Sequence, residues 1–253
     1  GVKGGIFTIT TGGSYRVWGP EGTFIGGNNE IALALVMAIP LIRYLHLQAQ
    51  GKWMRHALAA SMVLTAVAAI GSQSRGALLA IVAMGVFLWF KSRHKVVTGL
   101  YALIAVIAVL MVMPQSWYDR MGTIRNYEED ASATGRINAW HTAVNVAADN
   151  LTGGGFEVFK PDTFKQYAPN PMAVHDAHSV YFELLGEHGF IGLGIWLLVA
   201  FLAWRRAGRI IKNWRDDLAN KWAVDLSAMI QVSLIGFAVG GAFLGLAYFD
   251  LYY

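Results

Sequence analysis

The chain has 253 residues, 55% of them hydrophobic and only 14% charged, with a formal net charge of +4. Soluble domains carry about a quarter charged residues, so one large water-soluble core is excluded and an all-α polytopic membrane bundle is indicated. There is no cysteine, which excludes disulfides and thiolate metal sites and leaves the redox compartment unread.

The chain opens at Gly1 without a methionine or a secretory signal, and reads as a piece of a longer membrane domain. Residues 1–30 are punctuated by Gly4-Gly5, Gly12-Gly13, Gly19-Pro20 and Gly26-Gly27. They predict a turn-like loop, in which Arg16, Trp18 and Asn28 are site candidates. Four transmembrane helices follow within residues 31–114. The first runs about Ile31 to Leu45 and holds Pro40, which neighbouring helices can accommodate. The second covers about His56 to Ile70. After the tight turn Gly71-Ser72-Gln73-Ser74-Arg75-Gly76, the third runs to Phe90. The fourth spans Val96 to Met113 and stops at Pro114.

Residues 115–177 form the one long hydrophilic segment. Within it Arg136 to Asn150 predicts a helix. Thr134 is its candidate N-cap, and Ile137, Trp140, Val144 and Ala147 fall on one face. Such a helix either lies on the membrane surface as a lid or packs within the loop. Gly153-Gly154-Gly155 ends it. Residues 178–253 supply two more spans. In the first, helical spacing places His178, Phe182, Leu185, Gly189 and Gly192 on one face, with Asp176 as candidate N-cap. The apolar part runs Gly189 to Trp204. The last span covers about Ala223 to Tyr248, and its aromatic tail reads as an interface belt.

Basic turns at 43–55, 91–95 and 205–221 alternate with segments poor in positive charge. The positive-inside rule makes those turns cytoplasmic. The N-terminal loop, the Arg75 turn, the 115–177 loop and the C-terminus then share the periplasmic face of a bacterial inner membrane. That face carries Arg75, Arg136 and His178. An arginine at a turn between spans is costly and often functional, although snorkelling at a helix end also explains it. A solvated surface residue is likewise the competing reading for Arg136, and an interfacial histidine for His178. Two guanidiniums and nearby helix N-termini suit a diphosphate. His178 suits a general base for an attacking hydroxyl, with Asp176 or Tyr181 as its partner. The glycine face through Gly189 and Gly192 admits a close-packed helix or a lipid-like substrate.

The same residues resemble a known family. His178-Ser179 followed by Gly189-Phe190-Ile191-Gly192 is similar to the histidine signature of the O-antigen ligase and polymerase superfamily. Gly71 to Gly76 resembles its Ser-Arg-Gly turn, and Thr134-Gly135-Arg136 through Gly153-Gly154-Gly155-Phe156 its loop arginine and glycine turn. Tyr15 to Pro20 and Asn28-Asn29 are most similar to exosortase-associated O-glycosylation ligases. The resemblance implies a GT-C-like, metal-independent glycosyltransferase without a cofactor. It would move a glycan from an undecaprenyl-diphosphate carrier to a lipid, glycan or protein hydroxyl. It carries catalysis to His178 and diphosphate binding to Arg75 and Arg136. Set beside a full-length member, the resemblance leads one to expect several further helices ahead of this chain and a last one after it.

His175, Asp176 and His178 as metal ligands lack a further histidine at ligand spacing. The basic residues follow topology rather than a nucleic-acid footprint. A glycan polymerase of the same superfamily is one alternative. A transporter or flippase is another, but it predicts charges near the middle of several spans, which these spans almost lack. The charge alternation is checked by single-cysteine labelling with a membrane-impermeant reagent in spheroplasts. Positions in 115–177 are expected to react and those in 205–221 to stay protected. The opposite pattern removes the shared face.

Overall fold

The computed structural model describes residues 1–122 and 131–253. The loop charges Arg125, Glu128, Glu129 and Asp130 lie outside them. Among the described residues every regular element is helical: α1 (Val2–Thr10), α2 (Asn28–Gln48), α3 (Lys52–Gly71), α4 (Arg75–Lys91), α5 (Lys95–Val112), α6 (Gln115–Gly122), α7 (Ala131–Asp149), α8 (Pro161–Tyr167), α9 (Val180–Asn213) and α10 (Lys221–Gly241). The chain divides into two compact units. One comprises Gly1–Met121 with Trp204–Gly240, the other Gly122–Ala203 with Gly241–Tyr253.

All six predicted apolar stretches are helices, and the protein is a polytopic helical membrane protein. Of these, α2, α3, α9 and α10 are long and apolar enough to cross a membrane. With 17 residues, α4 reaches about 25 Å, near the lower limit for a span. Along α5, Val96, Leu100, Leu103, Ile107 and Met111 are exposed, an apolar surface that water does not tolerate and lipid does.

In the first unit the core joins Ala32, Leu35 and Val36 of α2, Ala68 and Ala69 of α3, Ala77, Ala80 and Met84 of α4, and Val232 of α10. Most of these are alanines, so the backbones approach closely and van der Waals packing holds the helices together. Pro40 sits inside α2 as expected. One turn before it, the Ser233 hydroxyl donates to the Met37 carbonyl (3.0 Å).

The N-terminal reading is corrected at residues 2–10, which form α1 rather than a loop. A Cβ at Gly5 would run into the Leu64 carbonyl of α3, and one at Gly71 into the Thr8 side chain. The Gly4-Gly5 pair therefore marks a helix–helix contact, not a turn. The last span is also shorter than expected, since α10 ends at Gly241. The residues beyond it pack within the second unit. Tyr252 stacks on Trp196, with centroids 4.4 Å apart, and donates its hydroxyl to the Trp196 carbonyl (2.8 Å).

Two helical glycines separate packing from propensity. Gly5→Ala forces α1 away from α3 and is expected to cost about 1–3 kcal/mol. A Cβ at Gly85 meets nothing within 4 Å, so Gly85→Ala is expected to stabilise by up to ~1 kcal/mol. Thermal unfolding in detergent checks both signs.

Candidate active site

In the first unit the Ser72-Gln73-Ser74 turn is buried and wholly polar. The Ser72 hydroxyl donates to Ala69 O (2.6 Å) and accepts from Ser74 N (3.2 Å). Ser74 caps α4 by accepting from Ala77 N (3.4 Å). The N-terminal loop locks the turn from outside. Asn28 Nδ2 donates to Ser72 O (2.9 Å), Gln73 Nε2 to Gly13 O (3.1 Å) and Val17 N to Gly71 O (3.1 Å). Gln73 pays a positive φ of 55° for this turn. Arg75 thereby becomes the first residue of α4 and is half-buried. A helix N-terminus is where an anion is favoured. Arg16 is half-buried beside Val17, and Asn28 is a structural tie.

The second unit is built on an interlock between the 150–155 turn and α9. Helix α9 is two helices merged across Gly189, whose φ is 65° and ψ −166°. Gly154 N donates to Gly186 O (2.8 Å) and Gly155 N to Glu187 O (3.0 Å). An unbroken helix would offer those carbonyls to residues 190 and 191. Ile191 N donates instead to Leu151 O (3.4 Å). A Cβ at Gly153 would meet the backbone of Glu187 and Gly189 at 2.5 Å, and one at Gly189 would meet the Leu151 carbonyl. The predicted glycine face is thus filled by the chain's own loop at Gly189. At Gly192 a Cβ would press on the His188 side chain.

Helix α7 starts at Ala131, so Thr134 lies inside it and is not its cap. Its buried side is Gly135, Asn138, Ala139, Thr142, Ala143, Val146 and Ala147; of the expected face, Ala147 is buried and Trp140 half-buried, while Ile137 and Val144 are exposed. Small residues are buried because Gly186 of α9 comes close: a Cβ there would lie 3.4 Å from that of Ala143. Asn138 stitches the following loop, donating to Asn170 O (2.8 Å) and Ala173 O (3.0 Å) and accepting from Asn170 N (2.9 Å).

His178 is also corrected. It precedes α9, with φ 42°, and is not on the helical face with Phe182 and Leu185. The first helical bond is accepted by Ser179 O from Glu183 N (2.8 Å), so Asp176 is not the cap. Trp140 fixes the preceding peptide. Its indole donates to Ala177 O (2.8 Å) and stacks on Phe182 at 4.8 Å. The His178 ring lies edge-on to that of His175, 5.2 Å between centroids. Burial holds the His178 pKa below the ordinary histidine value, the Arg136 and His175 charges lower it further, and Asp176 opposes them. A neutral imidazole is therefore favoured near neutral pH. The structure brings Arg136, His175, Asp176 and His178 into one cluster. Arg75 belongs to the other unit. Tyr181 packs edge-on against Trp196 (5.7 Å).

The C-terminal tail supplies what the sequence reading missed. Arg136 Nη1 donates to Phe243 O (3.2 Å). A Cβ at Gly245 would lie 3.5 Å from Glu183 Oε2 and 3.8 Å from His178 Cα. Glu183 Oε2 accepts from Ala247 N (3.4 Å). The buried Glu187 accepts from Glu157 N (2.9 Å) and from the Tyr248 hydroxyl. Burial first, then that carboxylate, push the Tyr248 pKa well above the ordinary tyrosine value. Because the phenol proton goes to Glu187, His188 Nε2 is the donor in its 2.8 Å contact with Tyr248. Glu183 and Glu187 are four residues apart, on one face of the helix. That spacing was the available signal, but their partners lie about 60 residues away.

Among known protein families, a model described as Wzy_C, O-Antigen ligase, matches residues 60–197, more than half of the chain. No curated protein matches. The matched stretch holds Arg75, Arg136 and His178 and stops before the tail. Tyr248→Phe tests the tail directly. It leaves a buried carboxylate oxygen without its donor and is expected to cost about 1–3 kcal/mol. Tyr253→Phe, at an exposed ring, is expected to cost little. Thermal unfolding of the two variants side by side reads the difference.

Proposed function

The chain belongs to the Wzy_C O-antigen ligase family, and from that membership we propose a periplasmic glycosyltransferase of the bacterial inner membrane that uses an undecaprenyl-diphosphate-linked glycan. The observation that carries this reading is the cluster of a neutral-favouring His178 with the Arg136 guanidinium. An acceptor hydroxyl attacks the anomeric carbon of the donor sugar. His178 takes the hydroxyl proton, a new C–O bond forms, and the bond from the sugar to the diphosphate breaks. Negative charge then collects on the departing lipid diphosphate. Arg136 offsets it, its fork directed by the Phe243 carbonyl. Arg75 is proposed to act on the same donor, on the strength of its motif and its place at a helix N-terminus. The narrower likeness to exosortase-associated O-glycosylation ligases rests on residues ahead of the matched stretch.

The pH profile has a definite sign. A base acts when unprotonated, so transfer should fall with acid along one limb. That limb is expected below pH 6.5, because the folded His178 pKa is lowered. Stability linked to this group likewise falls as pH drops below 6.5, where the unfolded chain binds the proton more readily. His178→Ala is expected to lose roughly 10²–10⁴-fold in turnover. His178→Asn should lose as much, although asparagine tolerates positive φ, which separates imidazole chemistry from backbone strain. Arg75→Lys and Arg136→Lys should each be damaging, since lysine lacks the planar fork. His94→Ala should be neutral. Turnover is measured on the full-length protein with a defined lipid-linked donor, with products identified by mass spectrometry. Near-normal transfer in both His178 variants would sink the catalytic assignment.

A further inference from the structure

Beside the cluster, on the side of α7 that carries Ile137 and His141, lies an open groove of about 510 Å³. That is within the range of small-molecule sites, roughly 300–1,000 Å³. Thr134, Ile137, His141, Asn170, Val174 and His175 line it. His175 belongs to both places, because its ring also meets that of His178. Its Nδ1 lies 2.9 Å from the Asp176 carbonyl. A carbonyl only accepts, so Nδ1 carries the proton, and the neutral ring presents a lone pair at Nε2.

The chemistry of the walls selects the occupant. Among the described residues, none of those lining it is a carboxylate, lysine or arginine, so these walls offer a phosphorylated ligand no fixed ion pair. It has little backbone to lend a peptide. Asn138 already takes the Asn170 and Ala173 carbonyls and the Asn170 amide, and α7 pairs its main chain internally. Extended peptides rely on main-chain hydrogen bonds. What remains is the Asn170 side-chain amide and two imidazoles between small apolar surfaces. That set matches an uncharged sugar, whose hydroxyls need donors and acceptors and whose ring faces need apolar contact.

We propose that this groove is the acceptor subsite, that it takes an uncharged glycan, and that His175 Nε2 orients the acceptor as a positioning residue. The proposal rests on the transferase reading above for the word acceptor, but not for sugar binding. The guanidinium of Arg136 reaches Phe243 in the tail, whereas Thr134, Ile137 and His141 of the same helix line the groove. The leaving diphosphate and the incoming sugar therefore approach His178 from different faces of α7.

The test uses the full-length protein in nanodiscs, with isomaltotriose and a phosphorylated isomaltotriose as probes. Saturation-transfer NMR without donor is expected to show the neutral trisaccharide bound. Ile137→Trp and Val174→Trp, both exposed positions that would fill the groove, should weaken it at least tenfold. His175→Phe keeps a ring, removes Nε2 and should weaken it too. With donor present, these variants should raise the KM for acceptor about tenfold and leave the KM for donor unchanged. Equal binding in wild type and both tryptophan variants, no binding of the neutral probe, or tighter binding of the phosphorylated one overturns the groove. Groove-dependent sugar binding in a protein that transfers nothing supports the groove and refutes the transferase reading instead.

Discussion

Gly186 and Glu187 give up the helical partners of their carbonyls, and the amides of Gly154 and Gly155 take those carbonyls instead. The second unit depends on this exchange. The Gly186 and Glu187 carbonyls and the Ile191 amide, released at the kink, each find a main-chain partner in the 150–155 turn. The exchange also demands glycine at Gly153 and Gly189, where positive φ coincides with backbone on every side. The end of α7 is thereby tied to the start of α9, and with them the supports of Arg136 and His178. Removing either glycine would affect both side chains without touching them.

Three described residues other than glycine have positive φ: Gln73, Glu157 and His178. Gln73 and His178 sit in stretches that carry the family resemblance, and Glu157 directly follows the third, after Phe156. Such backbones cost roughly 1–3 kcal/mol each and persist only where surroundings over-determine them. Here the surroundings are visible. The Gly13 carbonyl receives the Gln73 amide, the Glu187 carboxylate receives the Glu157 amide, and Trp140 holds the peptide before His178. Strain of this kind places a side chain before a substrate arrives, so that little reorganisation remains for the reaction.

Six apolar helices, the tight turn before Arg75 and the helix around Arg136 were legible in the sequence, because length, hydropathy and capping chemistry are local signals. The errors share one cause. Helical spacing carried His178 into α9, since periodicity does not register a single positive φ. It grouped Ile137, Trp140, Val144 and Ala147 on one face of α7, whereas the close approach of α9 buries alanine and threonine, and of those four only Ala147 is fully buried. Gly4-Gly5 read as a turn because the same residue type serves turns and tight helix contacts. The roles of Glu187 and Tyr248 depend on partners far along the chain, which no local pattern reports.

The tail also sets an order of events during synthesis. Arg136 precedes Phe243 by 107 residues. At roughly 5–20 residues per second, the ribosome needs about 5–20 seconds to travel from one to the other. Through that interval the guanidinium lacks the Phe243 carbonyl that directs it, and His178 lacks the backbone at Gly245 that abuts it. The cluster is therefore completed only after the α10 span has been made. A nascent chain halted before that point would carry His178 and Arg136 without the 243–245 backbone that abuts them.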